Sequence, residues 1–322
     1  MNMEINLEKF FIKDQWEEIL NNKKYLAVAQ KLAKTAYKDL IDSCGTFGFS
    51  LDKMLTITNK FKCFLNIKRR YLKELKLLSI LSNSGKDLVL SNLIYELTKY
   101  GEYKYNFTWC SSAAVYTKSG MVHTRNMDWP MDELKRKTIE LEFHGAKAGS
   151  FTAITFPGYT GVLTGIAPDR FSASINMMIE DYGISLRGKP ISFILREVFE
   201  ECESYEDAVE FLEHSDSFAP GFIHIVGIEE GENNVIGIMP KEYQNFTYED
   251  DGTGLCITNH IPDSDFDDEE WEVDSVERLD FLNSEIENVK NMEQAHRMMR
   301  KIKNEDTKHT ITMCANTGEY II

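Results

Sequence analysis

The chain has 322 residues, 43% of them hydrophobic, which is enough for one large domain or two ordinary ones with a sizeable buried core. Its net charge of −16 argues against nucleic acid and anionic membrane as primary partners, because both are negatively charged. No apolar run reaches the length of a membrane span, so no integral membrane segment is expected. The first residues do not resemble a signal peptide, and six cysteines then indicate reduced thiols and a cytoplasmic location.

The charge is unevenly distributed along the chain. Residues 1–109 contain 18 Lys and Arg against 12 Asp and Glu, a net charge of +6, whereas residues 110–322 carry −22. A basic segment followed by an acidic one suggests two complementary parts that dock. A basic helical face with no such role fits the counts equally well.

Residues 1 to about 100 are predicted to be helical. Apolar side chains between residues 16 and 40 recur at steps of three and four, as an amphipathic helix requires. Two further helical regions are predicted over residues 51–81 and 88–100. The Ser-Asn-Ser-Gly sequence at residues 82–85 is a break between them.

A β-hairpin is predicted over residues 113–124. Two short apolar segments flank a Lys-Ser-Gly turn at residues 118–120. Cys110 precedes the first strand, and Arg125 and Asp128 follow the second. Because pairing returns the second strand to the start of the first, we expect these three residues to be neighbours. A thiolate needs a nearby cation, and a nucleophile needs a base and a group that orients it.

The rest of the chain alternates between short apolar strands and helices. Strands are predicted at residues 138–143, 151–156, 162–166, 171–178, 222–228, 235–239, 244–248, 255–258 and 310–315. Helices are predicted at residues 190–201, 205–213 and 276–302. This pattern fits an α+β protein in which stacked sheets are covered by helices.

The order of Cys110, the hairpin and the Arg-Asn-Met-Asp sequence at residues 125–128 resembles the nucleophile region of a known family. It is similar to the N-terminal-nucleophile hydrolases related to acid ceramidase, N-acylethanolamine acid amidase and choloylglycine (bile salt) hydrolase. The similarity covers most of residues 90–282 and includes SASIN at residues 172–176 and SVER at residues 275–278.

This resemblance implies a four-layer αββα sandwich preceded by a helical propeptide. Residues 1–109 would be the propeptide and residues 110–322 the catalytic domain. Cleavage of the Trp109–Cys110 bond would free an α-amino group, whose ordinary pKa of about 8 suits a base at neutral pH. An aromatic insert at residues 98–109 is longer than in ceramidase-type relatives and would carry the scissile bond.

The resemblance also assigns roles to the residues around the thiol. Cys110 would be the nucleophile, and Asp128 would hold its freed amino group. Arg125 would stabilise the thiolate or contact the substrate carbonyl.

Three residues further along the chain complete the implied site. The side-chain amide of Asn176, of Asn259 or of both would help to hold the oxyanion. Arg278 would be an electrostatic partner of Cys110. Met177 follows Asn176 where the ceramidase branch has Glu, so any role of that Glu is lost or transferred.

The implied reaction is hydrolysis of a linear N-acyl amide through an acyl-thioester. The expected partners are a small-molecule amide with an apolar acyl chain and the chain's own propeptide, with no cofactor. One alternative is acyl transfer to an amine, and another is an unprocessed, non-catalytic protein. A papain-like pairing of Cys110 with His224 or His260 is a further alternative, although the local signature of such a Cys is missing.

No metal site is expected. The acidic run at residues 263–274 begins like an EF-hand loop, but Asp268 stands where Gly is required and Asp274 where Glu is required. A solvated loop near the mouth of the site is the simpler interpretation.

Overall fold

The computed structural model describes residues 2–6, 23–46, 66–93, 110–129, 131–180, 182–185, 187–262, 264–267 and 274–322. Its α-helices are α1 (Lys23–Thr46), α2 (Arg69–Leu81), α3 (Lys86–Ser91), α4 (Ile191–Glu201), α5 (Tyr205–Glu213), α6 (Ser275–Glu285) and α7 (Met292–Lys301). Among the helices of these ranges, none has the length and apolar character that a membrane crossing requires. Residues 51–65 of the helical region predicted over residues 51–81 lie outside the described residues, as does the insert at residues 98–109.

Within the described ranges, the strands form an eight-stranded and a five-stranded sheet. The larger has the order β1-β4-β5-β6-β7-β8-β9-β10, with β1 (Asn2–Asn6), β4 (Ile139–His144), β5 (Phe151–Thr155), β6 (Thr164–Ala167), β7 (Phe171–Met177), β8 (Gly221–Val226), β9 (Asn233–Ile238) and β10 (Phe246–Glu249). The smaller has the order β11-β2-β3-β12-β13, with β2 (Ser111–Thr117), β3 (Gly120–Asp128), β11 (Leu255–Ile257), β12 (Thr307–Cys314) and β13 (Glu319–Ile321).

The predicted hairpin is present as β2 and β3. Its register pairs Thr117 with Gly120 at the turn and Ser111 with Asn126 at the open end. Gly120 has a φ of +103°, a value that favours glycine, and an added Cβ would lie 2.9 Å from Nδ2 of Asn316. The hairpin therefore places Cys110, one residue before β2, at the open end beside the last residues of β3.

The elements are arranged in four layers. Helices of the first layer pack on the eight-stranded sheet, and the ring of Phe199 in α4 stacks on that of Phe151 in β5 at 5.1 Å. The two sheets meet through an apolar cluster that contains Ile154 and Ile311. Leu282 and the rest of a second cluster join α6 and α7 to the five-stranded sheet. The predicted arrangement of stacked sheets covered by helices is confirmed.

Two sequence predictions of secondary structure are wrong. Asn2–Asn6 is a strand and not helical, because it pairs in parallel with β4, a partner that five residues alone do not reveal. The helix predicted over residues 276–302 is two helices. Asn291 begins the second helix, since its side chain accepts a hydrogen bond from the Gln294 backbone N–H at 2.9 Å.

Ion pairs join the N-terminal helices to α4. Lys68 contacts Glu201 and lies 3.4 Å from a carboxylate oxygen of Glu197. Arg70 contacts Glu200 and also lies 3.4 Å from Glu201. Basic side chains that precede Cys110 thus meet acidic side chains that follow it, as the uneven charge distribution suggested.

Candidate active site

The open end of the hairpin brings three predicted site residues together. Cys110 is 4% exposed, and Arg125 and Asp128 are buried as well. Cys110 and Arg125 line the same pocket, and the charges of Arg125 and Asp128 both act on the thiol. The predicted proximity of these residues is therefore confirmed, although the sequence separates Cys110 from the other two.

The Cys110 thiol is a weak acid in this structure. Burial raises its pKa above the ordinary value, and the negative charge of Asp128 adds to that effect. The guanidinium groups of Arg125 and Arg278 and a hydrogen bond with the Asp128 backbone act in the opposite direction. Since burial has the largest effect, the thiol needs a base before it can act as a nucleophile.

Arg125 is fixed by the facing sheet. Its Nη1 donates to Oγ1 of Thr164 at 2.6 Å and also lies 3.4 Å from the backbone O of Leu163. Its Nη2 donates to the backbone O of Ile175 at 3.2 Å. These bonds hold a buried positive charge in the pocket wall beside Cys110.

Asp128 is a buried carboxyl whose hydrogen bonding is incomplete. Burial raises its pKa to about 6, against the lowering effects of a Thr307 hydrogen bond and of Arg278 and Arg125. Its Oδ2 accepts a long hydrogen bond from Nδ2 of Asn304 at 3.4 Å. Among the described residues, its Oδ1 has no hydrogen-bond partner. A buried acceptor of this kind can receive a further N–H donor.

Arg278 connects the helix α6 to the nucleophile. Its Nη1 donates to the backbone O of Cys110 at 2.9 Å and to Oγ of Ser111 at 2.6 Å. Its Nη2 donates to Oδ1 of Asn259 at 3.1 Å, and its Nε pairs with Asp274 at 2.8 Å. The predicted site residue Arg278 therefore contacts two other residues of the predicted site.

Asn176 and Asn259 connect the ends of β7 and β11. The Asn176 amide nitrogen donates to the backbone O of Ile257 at 3.2 Å and of Thr258 at 3.0 Å. The Asn259 amide nitrogen donates to the backbone O of Met177 at 2.8 Å. Both side chains thus hold backbone at the site, and their contribution to an oxyanion hole stays a prediction.

Cys110 and Arg125 border a pocket. Its wall is formed by Cys110, Arg125, Met127, Trp129, Tyr159, Leu163, Ile175, Met177, Ile191 and Ser192. The wall is mainly apolar, and the thiol and one guanidinium are its reactive and charged groups. Such a surface suits a ligand with an apolar part and one polar, reacting centre.

The histidines weighed as partners of Cys110 have other contacts. His224 bonds Oγ of Ser112 through Nδ1 and Oδ1 of Asn233 through Nε2, both at 2.8 Å. Burial lowers its pKa to about 4. Nδ1 of His260 lies 2.8 Å from Oγ of Ser275. The papain-like alternative therefore finds no support in the contacts of His224, whose two ring nitrogens are both occupied.

Sequence reasoning missed several residues that support the site. Arg278 bonds to Ser111, and Asp128 bonds to Asn304 and Thr307. In each of these pairs the two residues lie far apart in sequence. Only Asp274 had a local signal, because it stands four residues before Arg278 at the start of a helix.

No group of His, Cys, Asp and Glu side chains within the described ranges could hold a metal ion. Asp263 and residues 268–273 of the acidic run lie outside those ranges.

Comparison with known proteins identifies relatives for this site and fold. A stretch of 179 residues aligns at 31% identity with N-acylethanolamine-hydrolyzing acid amidase of Caenorhabditis elegans, covering 51% of this chain and 49% of the relative. Acid ceramidase of Homo sapiens is 29% identical over 255 residues, covering 71% of this chain and 61% of the relative. The chain thus spans about half to three fifths of the length of these two relatives.

A solved structure has the same fold. The Caenorhabditis elegans N-acylethanolamine-hydrolyzing acid amidase ortholog superposes with a TM-score of 0.53 and 22% identity, covering 64% of this chain and 92% of the other. The predicted four-layer fold and the resemblance to the acid ceramidase group are therefore confirmed. The family model described as acyl-coenzyme A:6-aminopenicillanic acid acyl-transferase matches residues 115–318, and the chain belongs to that family.

Proposed function

We propose that this protein is a cysteine N-terminal-nucleophile hydrolase that cleaves a linear, non-peptide N-acyl amide with an apolar acyl chain. The observation that carries the proposal is the environment of the Cys110 thiol. The thiol lies in a mainly apolar pocket, and the charges of Arg125, Asp128 and Arg278 act on its pKa. The names of the relatives, an acid amidase and an acid ceramidase, support the same class of substrate.

The proposed activation is cleavage of the Trp109–Cys110 bond. While that bond is intact, the nitrogen of Cys110 is an amide with no basic lone pair. Cleavage releases an α-amino group with an ordinary pKa of about 8, which can take the proton of the thiol. Oδ1 of Asp128, which has no hydrogen-bond partner among the described residues, is the acceptor that would hold this amino group.

In the proposed reaction, the Cys110 sulfur attacks the amide carbonyl and its proton passes to the α-amino group. That proton then goes to the nitrogen of the leaving amine as the C–N bond breaks, which leaves an acyl-thioester. Water, deprotonated by the same amino group, attacks the thioester and releases the acid and the thiol. Nucleophile and base thus belong to one residue.

We propose that the side-chain amide of Asn259, of Asn176 or of both holds the oxyanion. In the uncut chain both amide nitrogens donate to backbone carbonyls, that of Asn176 to two and that of Asn259 to Met177. Asn259 is oriented by Arg278, which bonds its side-chain oxygen and the carbonyl of Cys110. An oxyanion donor of this kind contributes about 3 kcal/mol to transition-state stabilisation.

Acyl transfer is the second candidate, because the family to which the chain belongs is described by such a reaction. The two activities share the thioester and differ only in whether water or an amine attacks it. Product analysis with and without an added amine separates them.

The test begins with N-terminal sequencing and a denaturing gel of the purified protein. We expect two fragments of 109 and 213 residues from the 322-residue chain, the larger beginning at Cys110, and one intact chain for Cys110→Ala. Wild-type protein is then screened by mass spectrometry against N-acyl ethanolamines, N-acyl amino acids, ceramides, penicillin V and bile salt conjugates. Turnover by an uncut chain would rule out the α-amino group as the base, and absence of both cleavage and turnover would favour a non-catalytic protein.

A further inference from the structure

A second apolar cavity lies next to the pocket that contains Cys110. The two cavities share three wall residues, Trp129, Tyr159 and Leu163. The backbone O of Leu163 also lies 3.4 Å from Nη1 of Arg125. The second cavity therefore adjoins the site on the side of the shared residues.

The far wall of this cavity comes from the segment that precedes the proposed cleavage point. Ala29, Leu32 and Ala33 of helix α1 line it, and all three are buried. Ala29 and Ala33 are one helical turn apart, so two small side chains face the same space.

Helix α1 is held close to the catalytic domain at this wall. A Cβ added at Gly158, whose φ is +89°, would lie 3.0 Å from the Cβ of Ala29. Asn92, just after α3, bonds the backbone O of Gly158 at 2.8 Å and the backbone N–H of Thr160 at 2.6 Å. Packing against Gly158 therefore fixes α1 at the cavity, and Asn92 holds the end of α3 to the same loop.

We propose that the second cavity receives the distal part of the substrate's acyl chain and that α1 sets the longest chain that the site accepts. This inference rests on the proposed function. The occupant is an extended aliphatic chain, because the cavity is apolar and adjoins the pocket of the nucleophile. None of its lining side chains is charged, so it offers no ion-pair partner to a charged group of the ligand. The N-terminal segment is then part of the substrate site and not only a cover over it.

The energetics of apolar burial set the size of the expected effect. Each buried methylene group changes kcat/KM by roughly fourfold or more. A substitution that excludes several methylenes therefore lowers kcat/KM for long chains by roughly a hundredfold, while short chains that end in the first pocket are unaffected. The preferred chain length shifts, and the chemistry at Cys110 does not.

The experiment compares Ala33→Phe with Ala27→Phe on a series of N-acyl amides of one amine with saturated chains of increasing length. Ala33 lines the cavity, whereas Ala27 is exposed on the same helix, so the second variant is a matched control. We expect Ala33→Phe to lose turnover of the longest chains and keep that of the shortest. Ala27→Phe is expected to retain the wild-type profile.

Leu32→Ala provides an independent arm if Ala33→Phe does not fold, since it enlarges the same cavity and should extend the preference to longer chains. Equal chain-length profiles for wild type, Ala33→Phe and Leu32→Ala would overturn this inference. Failure of the wild type to cleave any amide of the series would instead overturn the proposed function. The two failures are thus distinguishable.

Discussion

Arg196 is the centre of a buried ion cluster, and replacing it tests how the N-terminal segment is attached. Its Nη1 pairs with Glu74 of α2 at 2.8 Å, and its Nε pairs with Glu200 of α4 at 2.9 Å. It also donates to the backbone O of Thr160 at 2.7 Å and lies over the ring of Tyr71 at 4.5 Å. All three charged side chains are buried, and Arg196 is the cation that contacts both carboxylates.

We expect Arg196→Met to lower the free energy of unfolding by about 3–5 kcal/mol at pH 8, the usual cost of removing one partner from a buried ion pair. Methionine retains most of the side-chain length, so the loss reports mainly the uncompensated carboxylates. Burial already raises the pKa of Glu74 to about 7. Without Arg196 this pKa rises further, and the carboxyl is neutral at pH 6. The destabilisation should therefore be smaller at pH 6 than at pH 8.

A second substitution sharpens this prediction. Glu74→Leu combined with Arg196→Met removes the unpaired carboxylate of α2 and leaves Glu200 with its 2.6 Å hydrogen bond from Tyr71 and its contact with Arg70. The double variant should therefore be more stable than Arg196→Met alone, with a coupling of about 1–3 kcal/mol.

The assay is urea denaturation followed by tryptophan fluorescence, with every variant made in the Cys110→Ala background so that the chain stays continuous. The slope against urea should be unchanged if only stability differs. A loss below about 1 kcal/mol for Arg196→Met at pH 8, or a double variant no more stable than the single one, would refute the reasoning.

Three further predictions concern charged groups. Asp128→Asn should lower both self-cleavage and amide turnover roughly a hundredfold. Self-cleavage of the wild type should slow as pH drops through about 6, because the raised pKa of Asp128 in the uncut chain leaves it protonated there, and a full rate of self-cleavage at pH 5 would contradict this role. Arg125→Lys should lower turnover roughly tenfold in steady-state kinetics, because one ammonium cannot replace the bonds to both Thr164 and Ile175; an unchanged rate would remove Arg125 from the site. Glu74→Gln should remove a pH dependence of the free energy of unfolding. Because the pKa of Glu74 is raised in the fold, its protonation stabilises the wild type below pH 4.5, and about 3 kcal/mol of that stabilisation is lost by pH 7. Urea denaturation that shows the same pH dependence for the wild type and for Glu74→Gln would contradict this.

The local part of the site could be predicted from the sequence. The hairpin has a turn signal between two short apolar segments, and a two-stranded pairing fixes which residues meet at its open end. Cys110, Arg125 and Asp128 could therefore be placed together from the order of residues alone. Helix α5 likewise has a local start signal in the sequence, because the Ser204 hydroxyl accepts a hydrogen bond of 3.1 Å from the Asp207 backbone N–H.

Contacts between distant segments could not be predicted in this way. The parallel partner of β1 and the pairing of Glu74 with Arg196 depend on how whole layers pack, and no local pattern records them. The break before α7 is different, because Asn291 and Gln294 form a capping arrangement that the sequence does contain. A helix-start signal of this kind divides one predicted helix into two.

The contacts of the N-terminal segment bear on what cleavage at Trp109–Cys110 would change. Cleavage removes one covalent bond, but Glu74 remains paired with Arg196, and Asn92 remains bonded to Gly158. These groups are buried, so their separation would expose apolar surface and leave charges unpaired. The N-terminal segment should therefore stay bound after cleavage. If α1 forms the far wall of the acyl-chain cavity, the same contacts that retain this segment also preserve the substrate site, so one set of interactions serves both stability and specificity.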